Sequence, residues 1–271
     1  MRFWYLTLLA ALAAPAAAQT PAPPSLEAQA SAAMARGDLL YAYDQSAWHV
    51  TDAALAAVPK SSMNLIRGYV VTPAPGGYRT TFYGGEPGSH YRIYSAIWSN
   101  GSIVQPELVS PDKRQPITAD EERLIAAKTL ALGNIEGAIQ CTKAKLNSAV
   151  IPGATVQDPI SVYVLTPPTK KDVIPMGGHL RIDVKDGAVV AKRSFTRSCI
   201  ELAKPRLSKK QGAPVAMMIT HLLDPVPTEI HAFAVHSAGL PMFVSTPDGA
   251  LYSVELVGGK AVAKKTGQLT R

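Results

Sequence analysis

Three histidines and two carboxylates crowd one short stretch of the chain: His221, Asp224, Glu229, His231 and His236. Imidazole nitrogen and carboxylate oxygen are zinc donors that require no reduced thiol. A catalytic zinc takes three protein ligands and keeps a position for water, whose proton a neighbouring carboxylate removes. These five residues are the cluster in which a metal site is sought. On a helix beginning near Thr228, His236 stands five residues beyond His231 and is turned away from it, so that pair does not converge. Packing of these side chains into the fold is the competing expectation.

The other candidates point to structure. His49 follows Trp48 within a helical stretch, where packing is expected. His90 and His179 precede strands whose polar faces carry Arg92, and Arg181 with Asp183, which predicts solvated positions for both. Ser110-Pro111-Asp112-Lys113 matches a Ser-x-x-Lys string but sits in a proline-containing loop without a companion motif, so no catalytic pair is assigned to it. The chain has no GxSxG, no Walker loop, no GxGxxG, no HExxH and no CxxC.

Residues 213–257 resemble the core of the JAB/MPN fold, a family that includes zinc-dependent isopeptidases. That family runs as an apolar strand ending in His-Ser/Thr-His, a Pro-Ser-x-x-Asp segment opening a helix, and then a strand-turn-strand. Here the first motif reads Ile219-Thr220-His221 and the second Pro227-Thr228-Glu229-Ile230-His231, followed by an apolar strand and the turn Pro247-Asp248-Gly249. The family's first histidine is thus Ile219, its aspartate ligand is His231, and its upstream catalytic glutamate has no clear counterpart. The resemblance implies a zinc-dependent amide or peptide hydrolase, with His221 on a matching ligand position, His231 substituting as a second nitrogen ligand, Asp224 or His236 supplying the third, and Glu229 or Asp224 as the base.

The elements that must carry these residues read as α+β: a largely antiparallel sheet of hairpins packed by long helices. Leu40, Tyr43, Ala47, Val50 and Ala54 repeat at helical spacing, which predicts a helix over residues 39–57 with Asp38 as its cap. Thr118 and Glu121 form a capping box that opens a second helix, predicted to hold Cys141 in its last turns, with Gly133 as a break or kink within it. Asn100-Gly101 and Asp186-Gly187 are hairpin turns. Residues 213–220 read as a strand buried on both faces, and residues 228–238 as a helix with Thr228 as cap and Gly239 at its end. Two segments echo each other: Tyr69-Val70-Val71-Thr72-Pro73 with Tyr163-Val164-Leu165-Thr166-Pro167, and His90-Tyr91-Arg92-Ile93 with His179-Leu180-Arg181-Ile182. They suggest an internal α-β-β-β duplication.

Arg2, the apolar run over residues 3–14 and Ala16-Ala17-Ala18 have the layout of a signal peptide over residues 1–18, too short to span a bilayer comfortably. A flexible leader is expected over 19–37, with a weak helical signal over residues 26–35, then an N-terminal α+β half over 38–112 and a C-terminal half over 113–271, which can pack as one domain. Outside the cytosol, Cys141 and Cys199 are expected to form a disulfide. The net charge of +7, or +6 once Arg2 is removed, is scattered and reads chiefly as solubility. These features predict an exported soluble envelope protein, periplasmic or secreted, with no stable membrane anchor after cleavage. A non-catalytic binding or scaffold role is expected toward an envelope protein, a peptide or an anionic cell-wall polymer, not nucleic acid, and with no cofactor. The alternative is the zinc hydrolase.

Overall fold

The structure, a computed structural model, describes residues 23–204 and 216–269. The expected signal peptide, the start of the leader and the first residues of the strand expected over 213–220 lie outside the described residues. The described chain opens with α1 (Leu26–Ala57), whose 32 residues span about 48 Å at 1.5 Å each. Ser25 caps it, its hydroxyl accepting the Ala28 N–H at 3.2 Å. Buried residues recur every three or four positions from Ala30 to Ala54, including the five expected. The flexible leader is therefore corrected from Leu26 onward. The alanine-rich segment 26–37 is a good helix former, and its apolar stripe continues the one that follows. Asp38 is no cap. It lies within the helix, where its carboxylate accepts from Ala261 N–H at 2.9 Å and from His236 at 2.7 Å.

One turn, α2 (Lys60–Met63), leads into β1 (Gly68–Ala74), β2 (Gly77–Gly84), β3 (Tyr91–Ser99) and β4 (Ser102–Leu108), an antiparallel meander. Asn100 and Gly101 have φ of 47° and 78°, the positive angles a type I′ hairpin requires. The capping box opens α3 (Ala119–Leu132): Thr118 N–H donates to Glu121 Oε2 at 2.9 Å and Glu121 N–H to Thr118 Oγ1 at 3.1 Å. Gly133 ends this helix, so Cys141 sits in irregular chain beyond it and not in its last turns.

The chain continues through β5 (Asn147–Ile151), β6 (Ile160–Leu165), β7 (Val173–Pro175), β8 (Leu180–Lys185), β9 (Ala188–Ser194) and β10 (Glu201–Ala203). Strands β5-β6-β8-β9 form a second antiparallel meander, while β7 and β10 pair as a separate ribbon. A third four-stranded sheet is built from β11 (Met217–Thr220), β12 (Met242–Ser245), β13 (Ala250–Val257) and β14 (Lys260–Gln268). Between β11 and β12 lies α4 (Glu229–Ala238), with Gly239 left-handed at its end as expected. Because β11 runs parallel to β12, a crossover is required, and α4 supplies it. β11 departs from expectation. It is an edge strand with Met217 and Ile219 buried and Met218 58 % exposed, because only one of its faces meets the core.

The suspected duplication divides. The His-x-Arg-Ile echoes open β3 and β8, each the third strand of its meander. The Tyr-to-Pro echoes fall on β1 and β6, the first and second strands, and are not equivalent places.

One hydrophobic core joins α1 (Met34, Leu40, Tyr43), β1 (Val71), β6 (Tyr163, Leu165), α4 (Ile230, Val235) and the third sheet (Met242, Val244, Val254). Gly37 is where α1 and α4 touch. A Cβ there would fall 2.4 Å from Ala232 Cβ and 2.6 Å from the Glu229 carbonyl oxygen, so the site admits glycine alone without a shift. Among the described residues no helix is long and apolar enough to cross a membrane.

Candidate functional site

Three of the five residues singled out in the sequence do come together. His221 follows β11, and its Nε2–H donates to Asp224 Oδ2 at 2.8 Å. Arg193 of β9 donates to the other oxygen, Asp224 Oδ1, at 2.8 Å. Burial works against the Asp224 carboxylate, but the His221 hydrogen bond and the Arg193 guanidinium outweigh it and hold its pKa below the ordinary value. The His231 ring meets His221 edge to face, centroids 4.9 Å apart.

His231 is also the helix cap. It takes the N3 place where a capping box has Glu or Gln, and its Nδ1 accepts the Thr228 N–H at 2.9 Å. Burial, helped by the neighbouring His221, drives its pKa down to about 3. The folded protein thus holds this ring neutral while the unfolded chain protonates it near pH 6.5. Stability on this account is complete above that pH and is lost as pH falls toward 3, with a slope of up to about 1.4 kcal/mol per pH unit. His179, also pushed down by burial, adds the same sign. His231→Gln keeps the cap and removes one proton site, so it should clearly flatten stability against pH in urea titrations. An unchanged slope would show that His231 is not the group responsible.

The cluster does not fit a catalytic zinc. Among the described residues no three His, Cys, Asp or Glu side chains are placed to share a metal. Asp224 is engaged by His221 on one oxygen and by a guanidinium cation on the other, and His231 Nδ1 is committed to the helix end. The cleft beside them, between Phe195, Ser198, Thr220 and the two histidines, holds about 40 Å³, room for a few waters and no substrate.

Glu229 belongs to a different assembly. It is buried and turned toward the second meander, where Arg181 donates to it at 2.9 Å and the Tyr163 hydroxyl at 3.1 Å. Arg181 also faces Asp183 at 3.2 Å, and Asp183 accepts from Ser161 at 2.7 Å. Arg36 of α1 donates to Ser161 at 3.0 Å. Burial, followed by the Glu229 charge, pushes the Tyr163 hydroxyl up to about 12. A carboxylate so bonded is no base for water beside His221, and that assignment is corrected.

His90 and His179 are buried and not solvated as expected. His90 donates to Glu122 at 2.8 Å. His179 donates to the Pro175 carbonyl at 2.9 Å and accepts the Thr166 N–H at 3.3 Å. Both strands begin where a loop must be fastened, and a ring with two nitrogens does that. Ser110 bonds Asp112 in an exposed loop.

A roomier recess than the histidine cleft lies elsewhere, in a groove of about 520 Å³ between α1, α4 and the ends of β6 and β7. Tyr41, Asp44, Trp48 and Thr51 line it from α1, spaced by three and four residues as one helical stripe. Phe233 and Ser237 face them from α4, with Leu165, Ile174 and Pro175 as the floor. Trp48 stays 57 % exposed and stacks on His49, whose other side stacks on Trp98. Tyr41 stacks on His236 at 4.5 Å. Sequence reasoning missed this groove. The signal available was an aromatic stripe on α1 offset from the apolar one.

No family model matches the chain, and no curated protein and no solved structure matches it either.

Proposed function

We propose that this chain is an exported protein of the cell envelope that binds a small ligand in the groove between α1 and α4 and carries out no turnover there. The observation that carries the reading is the groove, whose volume of about 520 Å³ lies within the range of small-molecule pockets and whose walls are mainly apolar and aromatic. The bond between Cys141 and Cys199 supports export, since such bonds persist in oxidising compartments. The histidine cluster supports a non-catalytic role, because both Asp224 oxygens are taken by His221 and Arg193 and the His231 Nδ1 is bonded to the helix end.

Trp48 reports the test. In a chain lacking residues 1–18 and carrying Trp98→Phe, it is the single tryptophan. Titration with small-molecule fractions of an envelope extract should give a saturable change in its emission. Ser237→Phe, which places a ring in the groove from an exposed position, should abolish the change. No saturable response to any fraction would overturn the reading.

A further inference from the structure

The groove has one carboxylate on its wall and no basic side chain. Among its lining residues Asp44 alone carries a charge at neutral pH. Asp44 is partly buried on α1, and among the described residues it has no cationic partner, its side chain meeting only the neutral amide of Gln45. Two tyrosines feel its charge, Tyr41 on its own helix and Tyr69 of β1, and both are pushed up by burial first and by that charge second. Of the charges on neighbouring elements, Asp38 takes His236, and Lys128 lies over the Tyr69 ring and donates to the Tyr69 carbonyl, with burial pushing its pKa down to about 8.

A carboxylate left unpaired against apolar walls is costly, and burial pushes its pKa up to about 6. One helical turn away, Trp48 exposes much of its ring to the same space. A negative point charge beside an open aromatic face is the combination that holds an organic cation: the carboxylate takes the charge and the ring quadrupole faces it. The apolar floor of Leu165, Ile174 and Pro175 suits the remainder of such a molecule. An anionic polymer meets the wrong sign here despite the positive net charge of the chain.

We propose that the groove binds a small organic amine, with its ammonium group at Asp44 and its apolar body between Trp48, Phe233 and the floor. This rests on the reading of the groove as the binding site and specifies the ligand's chemical class.

Phenethylamine and its neutral counterpart 2-phenylethanol are the probes, titrated by calorimetry into the protein lacking residues 1–18 at mildly alkaline pH. The amine should bind about tenfold or more tightly than the alcohol, the scale of one charge-assisted hydrogen bond. Asp44→Asn should weaken the amine by a similar factor and leave the alcohol unchanged, while Trp48→Ala weakens both. Asp44→Asn should also raise the melting temperature at that pH, since it removes an unpaired buried charge. A fall would mean that the carboxylate is structurally paired and would overturn the proposal. Equal binding of amine and alcohol, or indifference to Asp44→Asn, overturns the cation class yet leaves the groove as a site if Ser237→Phe still blocks both probes. No binding of either probe overturns the proposal, and the titration with envelope fractions then decides the groove separately.

Discussion

Arg181→Met lowers the stability of the folded chain by about 3–5 kcal/mol, the cost of leaving a buried carboxylate without its cation. The carboxylate is Glu229, whose side chain is 3 % exposed against 20 % for Arg181. The guanidinium is held between Glu229 and Asp183, so its removal strands two acids at the joint of α4 with the second meander. Much of the loss comes from the charge left behind rather than from the value of the pair itself. Arg181→Met combined with Glu229→Gln therefore recovers a large part of it. The coupling between the two sites, read from urea denaturation of the four proteins of the cycle, should exceed about 1 kcal/mol. A loss below about 1 kcal/mol for Arg181→Met alone would mean that water reaches Glu229 in the native state.

Replacing Cys141 and Cys199 together by serine costs about 4 kcal/mol. The bond closes a loop of sequence separation 58, and a cross-link of that span removes about that much chain entropy from the unfolded state. Its position concentrates the effect. The segment after α3 has little secondary structure before β5, and the bond ties it to the chain just before β10. Gly178, with φ of 78°, lies against this bond, where a Cβ would come 2.8 Å from Cys141 Sγ. Thermal melts with and without reductant check the prediction. The wild type drops on reduction, whereas the serine variant melts low in both. A wild type indifferent to reductant would show that the bond contributes nothing to stability.

Local signals carried much of the fold. The capping box at Thr118, the I′ turns at Asn100-Gly101 and Asp186-Gly187, and the Thr228-to-Gly239 helix stand where their residues place them. Each depends on a few neighbouring residues whose backbone preference is strong: a hydroxyl that caps, or residues that accept positive φ. The misjudged ends have the opposite cause. Gly37-Asp38 has the composition of a helix start, but α4 presses against Gly37, and Asp38 is bound by His236 and Ala261 from distant parts of the chain. Tertiary contact overrode the local preference there.

The site divides along the same line. Proximity in sequence correctly joined His221, Asp224 and His231, all within one crossover connection. It also joined Glu229, which the first turn of α4 points the other way, toward Arg181. Nothing in the spacing could show that Arg193 would claim the free oxygen of Asp224, or that the His231 ring would be spent on a cap. The groove is still less legible, because its walls come from α1, β6, β7 and α4, far apart in the chain. By itself the sequence determined the α+β class, the hairpins, the caps and the pair of cysteines, since those follow from short-range backbone chemistry and residue type. Only the tertiary structure decided which polar groups are already satisfied and which, like Asp44, are left facing an open recess. That depends on partners brought from remote segments by packing.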